Sequence, residues 1–244
     1  MPKNKGYINF YKCCDLMKKV YLKRIMKRSI FPPQVVGIDV SESQILSAKN
    51  STNIPSNVEF MVGPSEVLNY EDETVDLITV CQAVHWFDIP KFYKEVDRVL
   101  KPNGVLAVIG YHTPNVCENI GMTLEQANHL NDLRNNFFFE TLKSYWAPEV
   151  YMVTSSYDQL PIISYETIER CNHFFVDVEG TIEDMAGDIL TWSGFNKFRQ
   201  IKGDDEAVEK FEKFLEDTEN FCNKNQKLTL RHRYFMILGC KSGK

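Results

Sequence analysis

Three apolar runs in this chain stop at residues that can do chemistry. Val35-Val-Gly-Ile-Asp39 closes on a carboxylate, and Val58-Glu-Phe-Met-Val62 breaks at Gly63-Pro64-Ser65-Glu66. Val75-Asp-Leu-Ile-Thr-Val80 runs into Cys81-Gln82-Ala83-Val84-His85-Trp86. If the runs are parallel strands, their last residues share one edge of a sheet, which is where ligands bind on such sheets. There, Asp39 can accept hydrogen bonds from both hydroxyls of a ribose; equally, an acid can end a strand simply because the strand reaches water. Ser65 or Glu66 can meet the amino group of an adenine, or belong to an ordinary turn. His85 beside Trp86 leaves the core where a ligand would sit, or is a satisfied histidine under a capping tryptophan.

Other chemistries find less support. His85 has no second ligand at metal spacing, and the seven cysteines are scattered without a C-x-x-C pair. Cys81 reads as a small buried residue as readily as a nucleophile. A nicotinamide-dependent oxidoreductase also places an acid after its second strand, but it requires a G-x-G-x-x-G fingerprint that is missing here. Thr191-Trp-Ser-Gly-Phe195 lines a pocket or packs a helix end, and Phe137-Phe-Phe139 reads as lid core.

The elements that must position these residues follow from periodicity. Short apolar runs separated by helical intervals predict a parallel α/β sheet. Ser41 caps a helix running to about Asn50 that buries Ile45, Leu46 and Ala48. Pro90 opens a helix with Phe92, Val96, Val99 and Leu100 on one face. Lys101-Pro-Asn-Gly104 then turns the chain into a fourth strand, Val105 to Ile109. Residues 113–160 are aromatic and helix-prone, and read as a lid insertion over the sheet. Glu169 to Val178 predicts a further strand, Thr181 to Leu190 a capped helix, Glu206 to Asn220 an acidic amphipathic helix, and Lys227 to Cys240 a closing strand.

The chain of 244 residues carries a net charge of -5, yet residues 1–33 hold nine Lys/Arg against Asp15 alone, leaving -13 on the rest. The balance argues against nucleic acid as a partner, and no apolar run has the length of a membrane span. The basic start has the charge bias of a mitochondrial presequence but is richer in Lys than in Arg or Ser; a solvated amphipathic helix through Leu16, Val20, Ile25 and Met26 is the reading preferred. Odd, scattered cysteines predict reduced thiols in a cytoplasmic protein, and a monomer is expected.

With these residues in place, the chain resembles the class I S-adenosylmethionine-dependent methyltransferases, in particular the trans-aconitate methyltransferase-like group. The resemblance rests on Val35-Val-Gly-Ile-Asp-Val-Ser41, Asn57-Val-Glu-Phe60, Ala83-Val-His-Trp-Phe-Asp88, Arg98-Val-Leu-Lys-Pro-Asn-Gly104 and Leu190-Thr-Trp-Ser193, and covers about residues 34–244. It implies a Rossmann-like α/β sheet with an antiparallel last strand, S-adenosylmethionine as cofactor, and a small-molecule methyl acceptor, a carboxylic acid by analogy. Asp39, Ser65, Glu66, Gln82 and Ala83 would contact the cofactor, and His85, Trp86, Tyr111 and Trp192 would line the acceptor pocket. No catalytic acid or base and no metal ligand is implied.

One part departs from the family pattern. The glycine-rich loop expected some twenty residues before Asp39 is replaced by Lys12-Cys-Cys-Asp-Leu-Met17 and a basic run, so the first strand is either lacking or altered. Tyr7-Ile-Asn-Phe-Tyr11 is the candidate substitute. The same departure supports an alternative: a catalytically impaired or truncated methyltransferase-like chain that does not bind cofactor.

Overall fold

The computed structural model describes residues 6–10, 34–52, 54–161, 165, 167–223 and 225–243. They fall into two compact units, one of Met1–Tyr111, Ser155–Asn172 and Tyr234–Lys244, the other of His112–Thr154 and His173–Arg233. The expected loop at Lys12–Met17 and the helix through Leu16–Met26 lie outside the described residues.

The first unit is built on a sheet whose strands are β1 (Gly6–Phe10), β2 (Gln34–Asp39), β3 (Val58–Val62), β4 (Val75–Cys81), β5 (Leu100–Tyr111) and β8 (Leu228–Cys240, through its second half). Their order is β3-β2-β1-β4-β5-β8. The first four pairings are parallel, and β8 runs antiparallel to β5 from Val105↔Cys240 to Tyr111↔Tyr234. The first strand is therefore altered rather than lacking: Gly6–Phe10 pairs with β2 on one side and β4 on the other, with Phe10 opposite both Ile38 and Val80. β4 is apolar almost without interruption because both of its faces are covered; Val75, Ile78 and Val80 are fully buried.

Two helices of this unit follow their local signals. In α1 (Glu42–Lys49) the Ser41 hydroxyl accepts the Gln44 N–H, as expected of the cap. Only Ile45 of the helix is buried; Leu46, expected in the core, is 61% exposed because only one face of this short helix meets the sheet. In α2 (Ile89–Val99) Asp88 caps the start, and Phe92, Val96 and Val99 are wholly buried. The turn Lys101-Pro-Asn-Gly104 proves to be part of β5 rather than a break before it. Asn103 takes φ 64°, and the register against β4 shifts between Val75 and Leu77.

The opposite face of α2 carries a polar clamp. Arg98 donates to Glu95 at 2.6 and 2.9 Å, to the carbonyls of Leu68 (3.0 Å) and Tyr70 (2.8 Å), and to Asp72 (2.8 Å). Glu95 in turn accepts the Leu68 N–H at 2.6 Å. One guanidinium thus ties down segment 68–72, which follows the turn bearing Ser65 and Glu66.

The second unit contains β6 (Asn115–Cys117), antiparallel to the first half of β8, and the helices α3 (Leu124–Asn136), α5 (Ile182–Thr191), α6 (Ser193–Lys202) and α7 (Asp204–Glu219); a short α4 (Val150–Thr154) follows α3. β7 (Thr167–Gly180) is divided between the units, as β8 is. The core of this unit gathers Leu130, Phe137, Phe138, Ile189, Trp192, Phe195 and Phe214. Of the stretch 113–160, residues up to Thr154 belong to this unit, together with His173–Arg233, and the remainder belongs to the first. α6 is absent from the sequence expectations; Trp192, with extended backbone, separates it from α5 and hides a helix start that lacks a capping side chain.

Hydrogen bonds from Arg98, first, and from the Leu68 N–H hold the Glu95 carboxyl below its ordinary value of 4.5. A depressed native value contributes stability that is present above the unfolded value and is lost as pH falls through the native one. Arg98→Met is expected to lower unfolding free energy by about 1–3 kcal/mol at neutral pH, with the exposed Asp72 contact adding little. The gap from wild type should narrow below about pH 4.5, as followed by urea denaturation.

Candidate functional site

Parallel strands β2, β3 and β4 end on one edge of the first unit, and a cleft of about 360 Å³ opens there. Ile38, Asp39, Val40 and Ser41 reach it from β2, with Gln44 from the first turn of α1. Gly63 and Ser65 reach it from beyond β3, and Ala83, Trp86 and Phe87 from beyond β4. Its walls are mostly apolar around a single carboxylate, as in a small-ligand site in which a few polar groups fix orientation.

Asp39 accepts the Ser41 N–H on Oδ1 at 2.8 Å, which orients the carboxylate. Its other oxygen has no hydrogen-bond partner among the described residues. Ser65 is buried, although it carries a hydroxyl, and contributes to the cleft wall. Ala83 removes bulk from the edge of β4, and Trp86, 45% exposed, flanks the opening. Asp39, Ser65, Ala83 and Trp86 thus line one cleft.

The other named residues sit elsewhere. Glu66 turns away from the cleft, and its Oε1 accepts the Asp88 N–H at 2.9 Å, at the start of α2. Gln82 serves as a staple. Its Nε2 donates to the Tyr111 carbonyl and its Oε1 accepts the Tyr111 N–H, both at 3.0 Å. Its own N–H donates to the Ile109 carbonyl at 2.9 Å. These three bonds hold Gln82 at φ 50°, a conformation that costs a residue with a Cβ and recurs at functional sites. Tyr111, half-buried, packs its ring near Tyr234 at 5.7 Å. Trp192 belongs to the second unit, where it is buried beside Phe138 and Trp146 and donates to Asp188 Oδ2 at 3.1 Å.

His85 has a partner that sequence reasoning missed. Its Nδ1 lies 2.7 Å from the Tyr157 hydroxyl, and its ring centroid is 5.0 Å from that of Trp86. Tyr157 is completely buried and meets Phe235 edge-on at 5.2 Å. Burial, with Cys81 and Tyr111 nearby, pushes the phenol far above its ordinary value, so it stays protonated and can keep one proton shared with the imidazole. Ser156 and Tyr157 both take positive φ, 56° and 57°, and Arg170 Nη2 holds the Tyr157 carbonyl at 3.3 Å. The stretch Ser155-Ser-Tyr-Asp158 carries no local signal for such a role; the two left-handed residues together turn the ring inward. A Cβ at Gly110 would fall within the Phe235 ring, so the glycine makes the room that lets Phe235 support Tyr157.

Among the described residues, no group of three His, Cys, Asp or Glu is arranged to hold a metal ion, and no helix is long and apolar enough to cross a membrane.

The model of a methyltransferase domain matches residues 20–108. A candidate methyltransferase of Dictyostelium discoideum is 29% identical over 209 residues, covering 85% of this chain and 74% of that protein. An uncharacterised methyltransferase of Schizosaccharomyces pombe is 37% identical over 78 residues, covering 32% of this chain and 30% of that protein. The solved structure of a candidate type II methyltransferase from Anaeromyxobacter dehalogenans superposes with a TM-score of 0.70 at 21% identity, covering 98% of this chain and 92% of that one.

Tyr157→Phe removes the hydroxyl that serves His85 Nδ1 while keeping the ring. The variant is expected to lose about 1–3 kcal/mol of stability, the cost of stranding a buried polar atom, with an unchanged far-ultraviolet spectrum. Chemical denaturation of both proteins reads this, and a change within error would mean that the pair contributes nothing.

Proposed function

We propose, from the premise that this chain belongs to the class I S-adenosylmethionine-dependent methyltransferases, that it methylates a small molecule, a carboxylic acid being the preferred acceptor. The observation that carries the cofactor reading is Asp39: a carboxylate oriented by Ser41, with one oxygen unengaged, in a largely apolar cleft at the carboxyl ends of parallel strands.

The residues present fit the adenosine half of the cofactor. Asp39 would take the ribose hydroxyls, Ser65 the adenine side, and Ile38, Val40 and Phe87 the flat ring surface. The cofactor supplies a methyl group on a sulfonium, whose carbon–sulfur bond breaks as the acceptor's lone pair forms the new bond. A carboxylate acceptor is already a nucleophile, so the protein has to orient it and exclude water rather than remove a proton. Ala83 leaves space beside β4, and Trp86 shields the cleft mouth. His85 is oriented by Tyr157 beside Trp86, and Glu66 and Gln82 act through the helix start and strand ends that they secure. Tyr111 and Trp192 are the remaining candidates for acceptor contact.

A second reading has its own observation: the segment between β1 and β2 contains no glycine. A chain of this fold that has lost cofactor binding would share every other feature. Calorimetric titration with S-adenosylhomocysteine separates the two. Micromolar binding, weakened about 10- to 100-fold in Asp39→Ala, is the expected outcome. A folded protein that shows no binding establishes the second reading, whereas binding followed by no transfer to any of a panel of small carboxylic acids removes the acceptor assignment alone.

A further inference from the structure

We propose that the second unit holds an oxyanion site centred on Arg134, which takes the carboxylate or phosphate group of a small molecule. The site is independent of the methyl-transfer reading, since every residue in it belongs to this unit.

Arg134 lies near the end of α3 and is only 2% exposed. Its Nη2 donates to Asn115 Oδ1 at 3.1 Å. Its Nε and Nη1 have no hydrogen-bond partner, and among the described residues no carboxylate lies within ion-pair distance of it. A guanidinium in this state bears a full charge and most of its donors with a single neutral amide to meet them. Buried charges are ordinarily paired, and removing one partner from a buried pair is strongly unfavourable.

The surroundings show why nothing internal completes the site. Asp188 on α5 is close enough to favour the charged form of Arg134, but its Oδ2 already accepts the Trp192 indole N–H. His232 on β8 is biased toward its neutral form, by burial first and by the Arg134 charge in addition. Burial lowers Arg134 to about 10, so it remains a cation at neutral pH. Asn115, Asp188 and His232 are each half-buried. A buried guanidinium with unpartnered N–H groups on Nε and Nη1 offers directed donors to the oxygens of a carboxylate or phosphate. Asp188 offsets part of the local charge, which favours a singly charged group held by directed hydrogen bonds over a polyanion.

The test uses the full chain, with thermal denaturation and calorimetric titration against inorganic phosphate and, separately, against acetate; chloride controls for ionic strength. A saturable response to one of the two is expected, and which one identifies the source of the group. Arg134→Met should weaken it by at least about ten-fold, as the loss of one partner of a buried charge pair does. Asn115→Asp places a carboxylate on Nη2 and should weaken oxyanion binding while raising the melting temperature, which keeps the test decisive if Arg134→Met does not fold. Binding of S-adenosylhomocysteine is expected to be unchanged in both variants. A wild type with no saturable response to either anion, or variants that respond as wild type does, overturns the proposal.

Discussion

The parallel register of β2, β1 and β4 is the constraint from which the rest of the first unit follows. Parallel strands point their carboxyl ends the same way, so the chain must leave each of them at one edge and return by a crossover. Asp39, the turn after Val62 and the segment after Cys81 meet there for that reason, although they are separated by some forty residues of sequence. The apolar composition of β4 is the other side of this constraint, because a strand covered on both faces has no solvent face on which to alternate.

Around that edge, conformational strain is concentrated and counterbalanced. Gln82, Ser156 and Tyr157 all take positive φ, and bonds restrain Gln82 and Tyr157: Gln82 to both backbone groups of Tyr111, Tyr157 to His85 and Arg170. The Arg98 clamp performs the analogous task on the approach to α2, with one side chain satisfying two backbone carbonyls that no strand or helix serves. Glu66 belongs to the same support system, since it caps the approach to the helix that Arg98 secures. The cleft is therefore surrounded by positions whose function is to hold other positions.

Much of the sheet and half of the candidate site were legible in the sequence, for identifiable reasons. Asp39, Ser65, Ala83 and Trp86 follow apolar runs directly, so locating the strands located them. The misses share a cause of the opposite kind. Tyr157 acts through contacts with His85 and Phe235, which are distant in the chain, and its own neighbourhood reads as an ordinary turn. The structural part of Gln82 is likewise set by a residue distant in the chain, through its paired bonds to the Tyr111 backbone. Leu46 was assigned to the core from its hydrophobicity, whereas the short face of α1 has room for Ile45 alone. Arg134 gave no sign at all, since a basic residue late in a helix is the commonest way to complement the helix dipole.

The first unit is drawn from three separated parts of the chain, and this gives it a particular history during synthesis. When residue 111 leaves the ribosome, β5 has β4 on one side and an open row of backbone donors and acceptors on the other. The strand that closes this edge begins at residue 234, so at ordinary elongation rates the edge waits roughly ten seconds for its partner. His85 waits for Tyr157 during the first part of that interval. An unpaired edge of this length is a template for association with other nascent chains, so the antiparallel last strand acts as the closure that makes the finished sheet safe from its neighbours.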